Sequence, residues 1–180
     1  MKAIYTLAAF GLLAAGLAHA DNRQGWYAGG AATHVDSGLG VAPDGDRLKF
    51  NGAEGYGGFK LNPYVGGELR IGTGLTTAEV TVASQKLEYS LTHYVAAYYR
   101  VESANQVAKL YGLAGLSQLN IDISGDNGGT FSGTESGFSY GFGIGFVTGL
   151  RTNLNFEYRR LMSNEDFAFD IVTVGVDFRF

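Results

Sequence analysis

Twelve charged residues stand at separations that group them in rows: Glu54 and Lys60, Glu68 and Arg70, Lys86, Glu88 and Arg100, Lys109, Glu157 and Arg159, Asp177 and Arg179. Within each row the separation is even, which puts the side chains on one face of a pleated strand. Rows of both signs could serve as acid and base, hold a metal, or pair with one another. Catalysis needs a nucleophile and a base within mutual reach. Beyond residue 20 the histidines are only His34 and His93, and neither stands in a catalytic spacing. With no Cys and two separated histidines, no metal-ligand cluster forms in the sequence. The Gly125-Asp126-Asn127-Gly128-Gly129 stretch lacks the Lys and helix start of a phosphate loop and the acidic spacing of a calcium loop. Mutual ion pairing is the remaining chemistry, so the chain is expected to be non-enzymatic and without cofactor.

The elements that position these rows alternate with period two. From Val172 to Phe180, Val172, Val174, Val176, Phe178 and Phe180 share one face, while Thr173, Gly175, Asp177 and Arg179 share the other. From Thr134 to Val147, Phe138, Tyr140, Phe142, Ile144 and Phe146 oppose Gly137, Ser139, Gly141, Gly143 and Gly145. Large apolar groups on one side and small ones on the other suit a narrow barrel with lipid outside and little room within. Around Asn62-Pro63-Tyr64, a turn, Phe59, Leu61, Val65, Leu69 and Ile71 read as outward, with Glu54, Lys60, Glu68 and Arg70 inward. Leu87, Tyr89, Leu91, Val95, Ala97 and Tyr99 read as outward against Lys86, Glu88, Ser90, Thr92 and Arg100. Leu154, Phe156 and Tyr158 oppose Asn155, Glu157 and Arg159. His93 falls on the outward face, and the facing of the first strand is ambiguous.

Eight strands follow, at 26–35, 52–61, 64–74, 86–101, 107–119, 134–147, 152–161 and 169–180. An even number allows closure with both ends on one side. Connections at 62–63, 102–106 and 148–151 are short; those at 36–51, 75–85, 120–133 and 162–168 are mostly longer and polar. In a bacterial outer-membrane barrel short turns face the periplasm and long loops face outward.

Export fits this reading. Lys2, an apolar run from Ala3 to Leu17, and Ala18-His19-Ala20 form a secretory signal, so 1–20 is expected to be cleaved and 21–180 to be the barrel domain. Losing Lys2 leaves twelve Lys+Arg against seventeen Asp+Glu, a formal charge of −5. That balance argues against a nucleic-acid partner. The absence of Cys leaves an exported chain without disulfides, held by its fold alone.

Gly57-Gly58-Phe59-Lys60-Leu61-Asn62-Pro63-Tyr64-Val65-Gly66-Gly67-Glu68, Gly137-Phe138-Ser139-Tyr140-Gly141 and Val174-Gly175-Val176-Asp177-Phe178-Arg179-Phe180 resemble strands of the small eight-stranded outer-membrane barrels, the family of outer membrane proteins A and X. The resemblance implies an integral protein of the bacterial outer membrane, with lipid and lipopolysaccharide around its wall. It also implies Phe178 and Phe180 as the signal read by the barrel-assembly machinery. Glu68 and Glu157 match inward acids of that family, whereas Gly145 and Asn155 stand where other inward charges do. A gated ionic pore is therefore not carried over, nor is the peptidoglycan-binding role of a domain following the barrel.

The expected molecule is a monomeric, all-β, eight-stranded antiparallel transmembrane barrel. Its lumen network comprises Glu54, Lys60, Glu68, Arg70, Glu88, Arg100, Lys109, Glu157, Arg159, Asp177 and Arg179, and its loops present a surface for adhesion or a host ligand. The alternative is a narrow, non-specific porin-like channel.

Overall fold

A computed structural model describes residues 24–39, 48–82, 85–105, 107–125, 129–163 and 167–180. The expected signal segment 1–20, the connection centre 40–47, most of the Gly125–Gly129 loop and the Lys86 side chain lie outside them. Nine strands follow in chain order: β1 (Gly25–Leu39), β2 (Leu48–Lys60), β3 (Val65–Gly74), β4 (Thr77–Val82), β5 (Gln85–Glu102), β6 (Ala108–Gly125), β7 (Thr130–Val147), β8 (Thr152–Ser163) and β9 (Phe167–Arg179). Every pairing is antiparallel, in the order β3-β2-β1-β9-β8-β7-β6-β5-β4, and β3 also pairs with β5 from Val65↔Val101 to Gly72↔Tyr94. That last ladder closes the ring. β4 continues beyond β3 after a break at Leu75 and Thr76, whose N–H groups both donate to the Asn51 carbonyl. The wall is thus a closed eight-stranded barrel, with β1 and β9 sealing it from Tyr27↔Arg179 to Leu39↔Phe167.

One end carries tight turns. The Asn62 side-chain oxygen accepts from the N–H groups of Tyr64 (2.8 Å) and Val65 (3.0 Å), and Asn105 accepts likewise from Val107 (2.9 Å). Such side-chain turns reverse the chain with few residues. The opposite end carries long hairpins. There the structure departs from the expected loops: 75–85 contains β4, and most of 120–133 belongs to β6 and β7, which stay paired to Ser124↔Thr130. Backbone donors and acceptors favour a continuing ladder even where side chains are polar on both faces, so loss of apolar alternation did not mark the end of the strand. Likewise Glu102, expected in a turn, closes β5 and is buried.

Residues with small side chains inside the barrel are seats for large ones. A Cβ on Gly143 would lie 2.4 Å from the Tyr111 ring, and one on Gly58 would lie 2.4 Å from that of Tyr27. Those tyrosines need glycine opposite them because their rings lie against the facing backbone.

Outward, Leu69, Ile71, Val95, Tyr99, Leu110, Leu116, Phe138, Phe142, Phe156, Val172, Val174 and Phe178 are exposed and form an apolar belt around the wall. Trp26 and Phe59 pack in a tilted pair at its short-turn edge with ring centroids 5.0 Å apart. Where exposed surface is apolar and the interior charged, the surrounding medium is hydrocarbon.

Candidate functional site

The lumen is built in two storeys. At mid-wall, Arg70 from β3 reaches Glu54 (2.6 Å), Glu68 (2.5 Å) and Glu157 (2.8 Å). Arg159 from β8 pairs with Glu54 and lies 2.6 Å from Glu157. Tyrosine hydroxyls add a second donor to the carboxylate oxygens that face Arg159 and Arg100, Tyr94 to Glu54 (2.5 Å) and Tyr27 to Glu68 (2.6 Å). Toward the short-turn end, Arg100 bridges Glu68 (2.9 Å) and Glu102 (3.0 Å), and Glu102 also pairs with Lys60. Lys109 and Arg179 stand 3.8 Å from the same carboxylate. Asp177 receives the side-chain amides of Asn153 (2.6 Å) and Asn155 (2.7 Å), with Arg179 at 3.3 Å. Guanidinium groups also stack on rings, Arg100 on Tyr111 at 3.7 Å and Arg70 on Tyr56 at 4.8 Å. Glu54, Glu68, Glu102 and Arg70 are each held from two or more other strands, and the side chains of Glu54, Glu68 and Arg159 are wholly buried. Buried ions at such density are tolerable only because they are mutually paired and hydrogen-bonded.

Above this column, toward the hairpin end, the interior changes character. Val35, Leu48, Phe50, Tyr89, Leu91, Tyr94, Leu119, Leu161, Phe169 and Ile171 form one buried apolar cluster. Tyr94 joins the storeys, its ring in the cluster and its hydroxyl on Glu54. The outer face changes in the opposite sense at the same height. His34 and Asn51 share a hydrogen bond (2.8 Å); His93 meets Asn120 (2.7 Å), which accepts from Thr134 (2.5 Å); Asp122 accepts from Thr92 (2.7 Å) and Ser132 (2.5 Å). Arg160 and Asp170 pair at 2.8 Å. The two hydroxyl donors hold the exposed Asp122 carboxyl, which lies above the apolar belt, below the usual aspartate range.

Of the eleven lumen candidates, Glu54, Lys60, Glu68, Arg70, Arg100, Lys109, Glu157, Arg159, Asp177 and Arg179 lie buried inside the barrel. Glu88 does not. A bulge between Leu91 and His93 leaves Thr92 as an extra residue in β5, so Tyr89 and Leu91 turn inward and Glu88 turns out to solvent. One inserted residue exchanges the faces of everything beyond it. Phe178 is exposed on the belt; Phe180 is half-buried, and its N–H donates to the Trp26 carbonyl. Glu102, a partner of Lys60 and Arg100, is absent from the sequence-derived set; extending the inward row of Tyr98 and Arg100 by one more step would have found it. Among the described residues no group of three His, Asp or Glu is placed to hold a metal ion.

A family profile described as the outer membrane protein beta-barrel domain matches residues 5–180. Curated protein sequences give no match. Among solved structures, Neisserial surface protein A superposes with a TM-score of 0.67 at 14% identity, covering 89% of this chain and 100% of that one. The attachment invasion locus protein Ail of Yersinia pestis, in complex with the heparin analogue sucrose octasulfate, gives 0.61 at 19% identity, covering 88% and 98%. The N-terminal beta-barrel domain of Pseudomonas aeruginosa OprF gives 0.60 at 15% identity, covering 88% and 100%.

Proposed function

The chain belongs to the outer membrane protein β-barrel family and resides in the bacterial outer membrane, and we propose that within it the chain acts as a closed, non-enzymatic barrel whose hairpin end serves surface interaction. In this reading the short turns face the periplasm and the hairpins face outward, as is usual for such barrels. The carrying observation is the two-storey filling. A conducting path would have to pass both an ionic lattice anchored from six strands and an apolar plug containing Val35, Leu119, Leu161 and Ile171, none of them accessible to solvent. Eight strands leave about enough bore for side chains and little else. This filling weighs against the narrow channel that the composition also allowed.

Recognition then falls to the outer hairpins, the part of a barrel free of both lipid contact and lumen packing. Ail, a structural neighbour, was solved with a heparin analogue; surface binding of some ligand is the corresponding expectation here. The purified protein in planar bilayers tests closure. We expect no steady conductance from the wild type, and stable single-channel openings would reverse the reading in favour of a pore. Binding of cells expressing the barrel to host or bacterial surfaces, compared with cells lacking it, tests the interaction role.

A further inference from the structure

Inside the short-turn end of the lumen, Arg179 differs from the other buried arginines. Arg70, Arg100 and Arg159 each have two carboxylates within 3.0 Å, whereas Arg179 has none so close. Its single hydrogen bond runs from Nε to Asp177 and is long, at 3.3 Å. Nη2 stands 3.8 Å from Glu102, and Nη1 is buried with no partner. The Tyr27 ring covers one face of the guanidinium at 4.9 Å, but the N–H donors lie in the guanidinium plane and are not used by a ring above it. The residue is only 4% exposed.

Two acceptors beside it share this condition. A carboxylate can only accept, so Asp177 draws in the amide nitrogens of Asn153 and Asn155, and the amide oxygens of both point elsewhere. Neither oxygen receives a donor. Gly145, opposite Asn155 in the β7–β8 ladder, keeps side-chain bulk off one of them: a Cβ there would lie 2.6 Å from the Asn155 oxygen. Buried donors and acceptors left without partners are expensive to maintain. The charge balance points the same way. Among the described residues of the lumen, Lys60, Lys109 and four arginines make six buried cations, and Asp177 with four glutamates makes five buried carboxylates. One positive charge is in surplus, and Arg179 is the arginine that lies farthest from any carboxylate.

We propose that Arg179, Asn153 and Asn155 form a site for a protonated tetrahedral oxyanion, inorganic phosphate as its monoanion, entering from the short-turn end. Its two unprotonated oxygens accept from the Arg179 Nη groups, a charge-assisted pairing of the stronger kind. Its two O–H groups donate to the amide oxygens of Asn153 and Asn155, and its single negative charge cancels the surplus. Those amide oxygens also discriminate. Sulfate has the shape and the negative charge but no O–H to give, so it sets acceptor against acceptor. The barrel wall separates these inward side chains from the bilayer, which favours the free ion over a lipid headgroup of the same chemistry. The site lies at the opposite end from the hairpins and does not depend on what they bind.

The test titrates inorganic phosphate into the full barrel in phosphatidylcholine nanodiscs at constant ionic strength. Calorimetry should show one saturable site on the wild type. The urea midpoint of the heat-modifiable form should rise with phosphate, as it must when a ligand binds the folded state alone. Sulfate should bind at least about tenfold more weakly, because it cannot serve the two amide oxygens. Arg179→Met and Asn155→Leu should each weaken phosphate binding at least about tenfold by removing a charged donor or an acceptor. Lys49→Met, on the exposed outer face beyond the belt, should leave phosphate binding unchanged. Nanodiscs carrying phosphatidic acid, with no free phosphate, should show no rise in the midpoint.

Absence of saturable phosphate binding to the wild type, or sulfate bound as tightly, overturns the inference. Full binding by folded Arg179→Met, loss of binding in Lys49→Met, or a rise in the midpoint with phosphatidic acid also overturns it. The comparison of phosphate with sulfate uses only wild-type protein and so decides the matter even where a lumen variant misfolds. The bilayer and cell-binding measurements are independent, so a silent phosphate titration beside a non-conducting, surface-binding barrel removes the anion site and leaves the broader reading in place.

Discussion

The two storeys of the barrel solve opposite problems with the same strands. In the belt, lipid claims the outward positions, so Leu116, Phe142 and Val174 face out and every charge of those strands is driven inward, where Arg70, Arg159 and their carboxylates must satisfy one another. Beyond the belt, water claims the outward positions, and Leu119, Phe169 and Ile171 pack inside as in a soluble protein. The boundary is crossed within single strands: in β5 by a one-residue bulge, and in β9 with no bulge, by a change of residue type from Asp177 and Thr173 to Ile171 and Phe169 along one inward row. The medium, more than the fold, decides which side of a sheet is the core.

The largest expected effect comes from the ionic storey. Glu68→Ala strips Arg70 and Arg100 of a shared buried partner and should cost about 3–5 kcal/mol, the usual penalty for orphaning a buried charge, read as a lowered urea midpoint for the folded, heat-modifiable form. In the apolar storey, Leu161→Ala should cost about 2–5 kcal/mol through lost burial and a cavity. A much smaller loss would mean that the plug is loosely packed and the two storeys are less distinct than their burial implies. On the outer face, Val174→Arg should cost about 2–4 kcal/mol near the bilayer midplane. Glu88→Arg, beyond the bulge and in water, should stay within about 0.5 kcal/mol; comparable costs for these two would erase the boundary at Thr92. Smallest is the rim hydrogen bond. The Asp122 carboxyl, followed by NMR, should titrate below the ordinary aspartate value, and Ser132→Ala should move it upward. Because its folded value is depressed, what these hydroxyls contribute is present above the unfolded value and is lost as pH falls through the folded one.

Within the belt the sequence was a reliable guide, because hydrocarbon enforces alternation at each step: the faces of β3, β7, β8 and β9 follow directly from their residues. Legibility ended where that enforcement did. Thr77 to Val82 reads as loop because its side chains need not alternate outside the bilayer, yet its backbone pairs with Gln85 to Ser90. The bulge at Thr92 adds no unusual residue, and so the inward turn of Tyr89 and Leu91 and the outward turn of Glu88 were invisible. The apolar plug was missed for a related reason: a polar interior was extrapolated beyond the height at which lipid requires it. Pairing within the lumen was also beyond reach, since Glu102 meets Lys60 only after β2, β3 and β5 have closed around them.

The seam between β1 and β9 joins residues 128 to 152 positions apart in the chain, whereas the other wall ladders join strands that are neighbours or near-neighbours in sequence. Hairpins such as β6–β7 can form as soon as both arms exist, but closing so long a loop is slow and comes last. Until then a growing sheet carries two open margins, and Arg70, Arg159 and their carboxylates have no sealed interior in which to meet. Sealing and neutralising the lumen are thus one event, timed by the arrival of the final strand.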